Sequence, residues 1–224
     1  MIINPCNSKI RREEIIQKIK DSSYKKVINV GGSLGANELE SVTHYADLQQ
    51  PQFPTDKKVF VVDISNSLTW NEIILWTKSH GKFEYSICSQ TLEHVPNVNC
   101  ALLFLSQISN QGFINVPSKY TELKKGVSYS DEGLVRCNMS AHFRGFLPHR
   151  WIFTVKNDIL WAFPKLNFIE FMDLSWVEEW QSSCELSFEW ENEIPFKEVN
   201  DILLDFPDPE SAIAFYYQHL QEGL

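Results

Sequence analysis

The stretch Val27-Ile-Asn-Val-Gly-Gly-Ser-Leu-Gly35 decides how the chain folds. Its first four residues form a short, largely β-branched run, which predicts a strand, and the glycines after it predict a tight turn into a short helix over 33–39. Backbone N–H groups in such a turn can approach a ligand closely, and the N-terminus of a helix favours a negatively charged group. Tight βα turns also need glycines for backbone geometry alone, so a binding role and a structural role both stay open here.

The sequence on either side alternates between strand-like and helix-like patterns. The predicted strands are 27–30, 42–48, 59–64, 83–88 and 113–116, and the predicted helices are 8–19, 33–39, 70–78 and 97–111. The run 59–64 is almost wholly apolar, which is typical of a parallel strand covered on both faces. Strands and helices that alternate at this spacing predict an α/β fold with a doubly wound, mostly parallel, Rossmann-like sheet, whose ligands bind at the carboxyl ends of the strands.

From residue 118 onward the sequence changes character and becomes β-rich and aromatic. The runs 150–155 and 159–163 flank Lys156-Asn-Asp158, which predicts a hairpin, and Asp208 followed by Pro209 predicts the start of a last helix that ends near residue 221. Five of the seven tryptophans lie in this half: Trp151, Trp161, Trp176, Trp180 and Trp190. Tryptophan faces can stack on sugar rings, but core packing is the commoner role. A length of 224 residues suits one domain, 1–224, with an elaborated end.

Charge and cysteine usage exclude several classes of protein. The chain carries 20 Lys and Arg against 29 Asp and Glu, a formal net charge of −9, so we expect neither DNA nor RNA as its main ligand. The apolar run 101–105 is far shorter than the roughly 20 residues that span a bilayer, so we expect no membrane span. Five scattered cysteines without a C-x-x-C pair, and an N-terminus without an apolar signal core, predict a cytoplasmic protein.

Two acids add weight to the glycine turn as a binding site. Asp47 ends the second predicted strand, about where a nucleotide-binding fold places the carboxylate that accepts from ribose hydroxyls, and Asp63 ends the third. Both therefore fall on the same edge of the sheet as the turn. In another register, Val61-Val-Asp63 is itself the second strand and Asp63 contacts the ribose. Each acid, taken singly, could also be a helix cap or a solvated strand end.

The segment Phe83-Glu-Tyr-Ser-Ile-Cys-Ser-Gln-Thr-Leu-Glu-His-Val-Pro-Asn97 carries a family resemblance. It resembles the fourth-strand segment of class I S-adenosylmethionine-dependent methyltransferases, in which a strand ends in a Leu-Glu-His-Val/Ile-Pro-type turn. In that family a helix and a glycine-led fifth strand follow, as 97–111 and Gly112-Phe-Ile-Asn-Val-Pro117 do here. The resemblance covers roughly 25–117, about half of the chain.

The resemblance implies S-adenosylmethionine as cofactor and assigns residues to it. The implied contacts are Gly31, Gly32 and Gly35 around the methionine part, Asp47 on the ribose, Asp63 and Ile64 along the adenine, and Ser89, Gln90 and Leu92 at the end of the fourth strand. The chain departs from the family at Asn29, which stands nearest to where an acid usually precedes the glycines.

If the methyl group is transferred to a hydroxyl, a group of the protein must remove the proton of that hydroxyl. A base with a near-neutral pKa suits that task. Glu93, His94 and His149 are the candidates, although capping and packing would also explain Glu93 and His94. A pair of histidines with Glu93 or Asp131 could instead hold a divalent metal, as in some sugar O-methyltransferases, but no tight ligand spacing supports this.

A cationic cluster of His142, Arg144, His149 and Arg150 stands out in an acidic chain. It suggests an anionic group on the substrate, and solvated loop charge is the alternative explanation.

The resemblance therefore predicts a methyltransferase that methylates an oxygen of a sugar, a glycan or another small polar acceptor. Residues 1–117 would form the cofactor-binding half and 118–224 the acceptor-binding elaboration. The sugar is suggested by a likeness of 148–153 and 161–164 to glycan-modifying members of the superfamily. The alternatives are methylation of a protein or a non-sugar small molecule, and a non-catalytic Rossmann-like binding protein, which the atypical glycine turn favours.

Overall fold

The computed structural model describes residues 4–5, 8–32, 40–50, 56–125, 129–130, 133–134, 143–178, 185–199 and 208–221. The strands in these ranges are β1 Asn4–Pro5, β2 Val27–Val30, β3 His44–Asp47, β4 Lys58–Val61, β5 Tyr85–Ser89, β6 Gln111–Pro117, β7 Tyr129–Ser130, β8 Gly133–Leu134, β9 Trp151–Lys156, β10 Ile159–Pro164, β11 Glu185–Glu191 and β12 Phe196–Glu198. The α-helices are α1 Ser8–Asp21, α2 Asn71–His80, α3 Val98–Ile108, α4 Lys119–Leu123, α5 Ser175–Glu178 and α6 Pro209–Gln221, and 3-10 turns cover Ser67–Trp70 and Asn167–Phe171.

A mostly parallel sheet of seven strands forms the centre of the molecule, in the order β4-β3-β2-β5-β6-β11-β1. Strands β2 to β6 are parallel to their neighbours, whereas β11 is antiparallel to β6 and β1 is antiparallel to β11. The chain builds β2, β3 and β4 outward on one side and then crosses to β5 and β6 on the other. The strand order therefore reverses between β2 and β5. The predicted α/β fold with a mostly parallel sheet is confirmed, and this order is compatible with a Rossmann-like arrangement.

Both faces of this sheet are covered by other parts of the chain. Successive side chains of a strand point to opposite faces, so each strand contributes to two layers of packing. On one face, Ile15 and Ile19 of α1 pack with Tyr45, Tyr85 and Phe113. The other face belongs to the largest core cluster, which includes side chains from α2, α3, β9 and β10. Its central-sheet members are Ile28, Val30, Ala46, Phe60, Cys88, Ile114, Val116, Leu186, Phe188 and Trp190.

A second, three-stranded sheet in the order β12-β10-β9 covers part of that face. The predicted hairpin is β9–β10, with Asn157 and Asp158 between its strands. These two residues have φ values of 52° and 62°, as the central pair of a type I′ turn requires. The hairpin that Lys156-Asn-Asp158 predicts is therefore confirmed.

The hairpin contributes side chains to two separate cores. Trp151 and Phe153 of β9 belong to the core shared with the central sheet. Ile152 of β9 and Phe163 of β10 belong to a second cluster, together with Tyr216 of α6. The hairpin is therefore an internal layer of the molecule.

Helix α6 begins as the sequence predicts. The Asp208 carboxylate accepts from the backbone N–H of Ser211 at 2.7 Å and from its hydroxyl at 2.8 Å, an N-cap that precedes Pro209. Near its other end, the buried ammonium of Lys119 donates to the backbone carbonyl of Leu220 at 2.6 Å. This contact ties α6 to α4.

The structure shortens some predicted elements and leaves others outside the described residues. Strand β4 ends at Val61 instead of residue 64, because Asp63 accepts from both the N–H and the hydroxyl of Ser65 and turns the chain. The helix predicted over 33–39 and the side chains of Trp176 and Trp180 lie outside what the structure describes. No helix in the described ranges is both long enough and apolar enough to cross a bilayer.

Gly31 lies directly after β2 and has a φ of +70°, a conformation that favours glycine. A Cβ at this position would lie 2.1 Å from the Thr91 methyl carbon. We expect Gly31→Ala to lower the free energy of unfolding by at least about 2 kcal/mol, from left-handed strain of about 1–2 kcal/mol plus overpacking. Urea unfolding measures this loss.

The matched background for that substitution is Thr91→Ala, which removes both the methyl group and the hydroxyl and leaves only the Thr91 Cβ, 3.0 Å from the added carbon. In a double-mutant cycle, Gly31→Ala should cost about 1 kcal/mol less in the Thr91→Ala background than in the natural chain. An equal cost in both backgrounds would contradict the close approach of Thr91 to Gly31.

Candidate functional site

A cleft of about 300 Å³ opens at the carboxyl ends of β2, β3, β4 and β5. Its lining residues are Gly31, Asp47, Leu48, Val62, Asp63, Ile64, Gln90, Thr91, His94, Val95 and Pro96. These residues come from the loops that follow four neighbouring parallel strands. The cleft therefore lies at the reversal of strand order, where open α/β sheets bind their ligands.

Backbone hydrogen bonds between strand ends hold the floor of this cleft. The N–H of Gly31 donates to the carbonyl of Ala46 at 2.7 Å, and the N–H of Val62 donates to the carbonyl of Asp47 at 2.7 Å. The hydroxyl of Thr91 donates to the carbonyl of Gly31 at 2.9 Å, which links the end of β5 to the end of β2. These bonds join the end of β2 to β3 and the end of β3 to the residue after β4. Thr91 joins the end of β5 to the end of β2.

The two acids of the cleft occupy different positions. Asp47 is the last residue of β3, the strand next to β2, whereas Asp63 lies two residues beyond β4. Val61 belongs to the third parallel strand, so the alternative register in which 61–63 forms the second strand is wrong. The Asp63 carboxylate caps the turn at Ser65, whereas the Asp47 carboxylate accepts no hydrogen bond from the described residues. Asp47 is therefore the acid better placed to accept from a ligand.

The structure brings together six of the predicted site residues: Gly31, Asp47, Asp63, Ile64 and Gln90, which the family resemblance assigned to the cofactor, and the base candidate His94 all line the cleft. Gly32 and Ser89 lie beside it and are not among its lining residues. Leu92 is fully buried in the main core cluster and is not among the residues that line the cleft. Gly35 lies outside the described residues.

The three predicted base candidates, Glu93, His94 and His149, form one cluster at the rim of the cleft. A carboxylate oxygen of Glu93 and one ring nitrogen of each histidine lie within 4.8 Å of one another. The two imidazole rings meet edge to face, with centroids 4.5 Å apart. Of the three side chains, His94 lines the cleft, and Glu93 and His149 are buried behind it.

Local backbone contacts explain why these residues meet. The N–H of His94 donates to the carbonyl of Thr91 at 3.0 Å, which forms the turn after β5. The loop before β9 is fastened to this turn by two bonds: the N–H of Arg150 donates to the carbonyl of Glu93 at 2.6 Å, and the Trp151 indole donates to the carbonyl of Val95 at 2.7 Å. His149 is held against Glu93 and His94 as a result.

Burial changes the proton affinities within the cluster. It raises the pKa of Glu93 to about 8, with smaller contributions in the same direction from Glu122 and Glu185, while backbone amides of Thr91 and Glu93 oppose the shift. Burial, and after it the neighbouring His149, lowers the pKa of His94. Each shift favours the uncharged form of its side chain.

A buried carboxylate and a lysine stand behind His149. Nδ1 of His149 lies 2.6 Å from a carboxylate oxygen of Glu122, and the ammonium of Lys165 lies 2.8 Å from the other oxygen. Lys165 also donates to the carbonyl of Phe146 at 2.8 Å. Because Nδ1 of His149 faces Glu122, its Nε2 is the nitrogen left for Glu93 and His94.

Two members of the predicted cationic cluster, Arg144 and His149, are engaged by groups of the protein itself. The guanidinium of Arg144 is buried and donates to three backbone carbonyls, those of Leu123, Ile169 and Met172, so its role is structural. His149 pairs with Glu122 instead. His142 and Asp131 lie outside the described residues.

Two tryptophans considered for sugar stacking also have other roles. Trp151 is buried in the main core with its indole N–H on the Val95 carbonyl. Trp161 stacks on Phe163, and the Lys197 ammonium lies 4.4 Å from its ring centroid. Neither ring lines the cleft.

Sequence reasoning missed Glu122 and Lys165. Glu122 sits on α4, a helix of five residues inside a stretch that reads as irregular, and its buried neighbours Lys119 and Thr121 hide any apolar periodicity. Its partners His149 and Lys165 are distant in sequence, so no local pattern connects them. A capping signal was present at Ser118, whose side chain accepts from the N–H of Thr121.

No protein-family model matches the chain, and a search of curated proteins finds no relative.

The buried ion pair between Lys165 and Glu122 should contribute strongly to the stability of the fold. Lys165→Met leaves the fully buried Glu122 carboxylate without its cation, so we expect a loss of about 3–5 kcal/mol in the free energy of unfolding, measured by urea denaturation. The control is Lys58→Met at the exposed Lys58–Glu72 pair, which should cost at most about 1 kcal/mol. Equal effects of the two substitutions would contradict the assignment.

Proposed function

We propose that this protein binds S-adenosylmethionine in the cleft and transfers its methyl group to an oxygen of a small polar acceptor. The observation that carries the proposal is the meeting of the Gly31 bend and the Asp47 carboxylate in one cleft at the reversal of strand order. The family resemblance over 25–117 agrees with this placement.

The lining residues have the chemistry that an adenosyl ligand requires. The Asp47 carboxylate is suited to accept from two ribose hydroxyls, since an ionised oxygen pair makes the stronger class of hydrogen bond. Val62 and Ile64 offer an apolar surface for an adenine ring. Gly31 allows a close approach of the backbone beside them. A volume of about 300 Å³ is at the lower end of what small-molecule sites occupy.

S-Adenosylmethionine supplies an activated methyl group on a positively charged sulfur when it is bound. The tasks left to the chain are to orient the acceptor and to exclude water from it. His94 lies at the rim where an acceptor would enter, and the loop before β9 covers the cluster behind it. These contacts support a small acceptor that enters from the side of His94.

The rim favours a polar acceptor, because its exposed side chain is an imidazole and a buried carboxylate lies just behind it. A sugar is one member of this class. The positions of Trp151 and Trp161 away from the cleft remove ring stacking by these two residues as an argument for it.

Calorimetry with S-adenosylmethionine tests the binding step. We expect saturable binding by the natural chain and no comparable binding of NAD. Asp47→Ala should weaken the affinity by at least about 1 kcal/mol, the scale of a hydrogen bond to a charged group. Asp158→Asn is the control, since Asp158 lies in the hairpin turn and asparagine tolerates its positive φ.

Two outcomes would contradict this part of the proposal: an absence of S-adenosylmethionine binding by the folded chain, or the same affinity in the natural and Asp47→Ala chains. Transfer itself is tested by mass spectrometry of polar acceptors, sugars among them, incubated with the protein and S-adenosylmethionine. Gain of one methyl group that depends on the protein supports the enzyme. Tight binding with no transfer to any acceptor would favour a non-catalytic binding protein.

A further inference from the structure

Glu93 occupies an unusual environment for a carboxylic acid. Its side chain is 0% exposed, and neither carboxylate oxygen receives a hydrogen bond of normal geometry from the described residues. Buried carboxylates are normally paired, hydrogen-bonded or bound to a metal, because removing an unpaired charge from water is costly. The environment of Glu93 therefore leaves room for a partner beyond the nearby backbone amides of Thr91 and Glu93.

Two imidazoles face Glu93 from different elements of the fold. His94 follows it in the turn after β5, and His149 comes from the loop before β9. Their ring nitrogens and a Glu93 oxygen lie within 4.8 Å of one another. Ligand atoms that lie about 2.1 Å from a tetrahedral metal ion are about 3.5 Å from one another. Side-chain rotations that move these three ligand atoms by about an ångström would therefore let all three bind one ion.

We propose that Glu93, His94 and His149 bind a divalent first-row transition-metal ion such as Zn²⁺ at the rim of the cleft. The ion supplies the missing partner of the buried carboxylate. Two imidazoles with one carboxylate suit Zn²⁺, Co²⁺ or Fe²⁺, whereas Mg²⁺ and Ca²⁺ prefer oxygen ligands throughout.

The outer contact of His149 matches that of a metal ligand. Ligating histidines usually donate their second ring N–H to a carboxylate or a backbone carbonyl, which fixes the tautomer and the ring orientation. His149 has Glu122 at 2.6 Å from Nδ1, so Nε2 is available to the ion. This contact is not needed if His149 only fills space.

Charge around the cluster also favours a cation. Glu93 and Glu122 bring two carboxylates, and Lys165 brings one ammonium, paired with Glu122 at 2.8 Å. With Glu93 ionised and both histidines neutral, the negative charges therefore outnumber the positive ones. A dication at Glu93 compensates this excess inside the protein, where electrostatic interactions are strong.

The position of the ion at the rim suggests that it binds the methyl acceptor, a role that rests on the proposed function. Three protein ligands leave an open coordination position, as is common in catalytic sites, and His94 places the ion at the edge of the cleft. An acceptor hydroxyl bound there would have a lowered pKa, which favours loss of its proton. The metal-binding inference itself does not depend on methyl transfer.

Cobalt titration of the chelator-treated full chain tests the site, with Co²⁺ as a coloured probe. We expect one Co²⁺ per chain with visible absorption bands, and displacement of Co²⁺ by Zn²⁺ with loss of those bands. His94→Ala and Glu93→Gln should each weaken Co²⁺ binding at least about tenfold, and Glu122→Gln should weaken it about 10- to 100-fold through His149. His94 is exposed, so its substitution leaves the core intact.

The control is His80→Ala, which removes an exposed histidine at the end of α2 and should leave the Co²⁺ affinity unchanged. Asp47→Ala should also bind Co²⁺ like the natural chain, which separates this test from that of the cleft. Failure to bind one equivalent of Co²⁺ or Zn²⁺, or the same affinity in the natural and His94→Ala chains, overturns the proposal. In that case Glu93 is protonated in its buried position.

Discussion

The hydroxyl of Thr91 connects the ends of β2 and β5, the two strands between which the order of the sheet reverses. Its methyl group occupies the space that any side chain at position 31 would need. Its carbonyl accepts the N–H of His94 and so begins the turn that carries Glu93. The floor of the cleft and the cluster at its rim are therefore positioned by one residue, which ties their geometry together.

Most of the sheet could be predicted from sequence, because local patterns determine it. The β-branched run of β2 and the apolar β4 and β6 identify their strands. The hairpin turn and the Asp208 cap likewise use only residues close in sequence. The antiparallel position of β11 beside β6 could not be predicted. Its pairing joins residues about seventy positions apart, and its alternation of polar and apolar residues is compatible with pairing to several different strands.

The site was predictable only in part, for a related reason. Residues that end strands, such as Asp47, can be placed on the correct edge once the strands are known. Leu92 shows the limit, because one position in a turn decides between the cleft and the core, and sequence alone does not give turn geometry. The pairing of Glu122 with His149 and Lys165 depends on how the loop before β9 closes over the sheet end, which is a tertiary feature.

The layered placement of β9 and β10 constrains how this part of the chain can change. Neighbouring residues of β9 serve different cores, with Phe153 on one side and Ile152 on the other. Insertion or deletion of one residue within the strand would exchange these two sets and disrupt both layers at once. Length variation among any relatives of this chain should therefore concentrate in the connections around the hairpin, while the strands themselves keep a fixed number of residues.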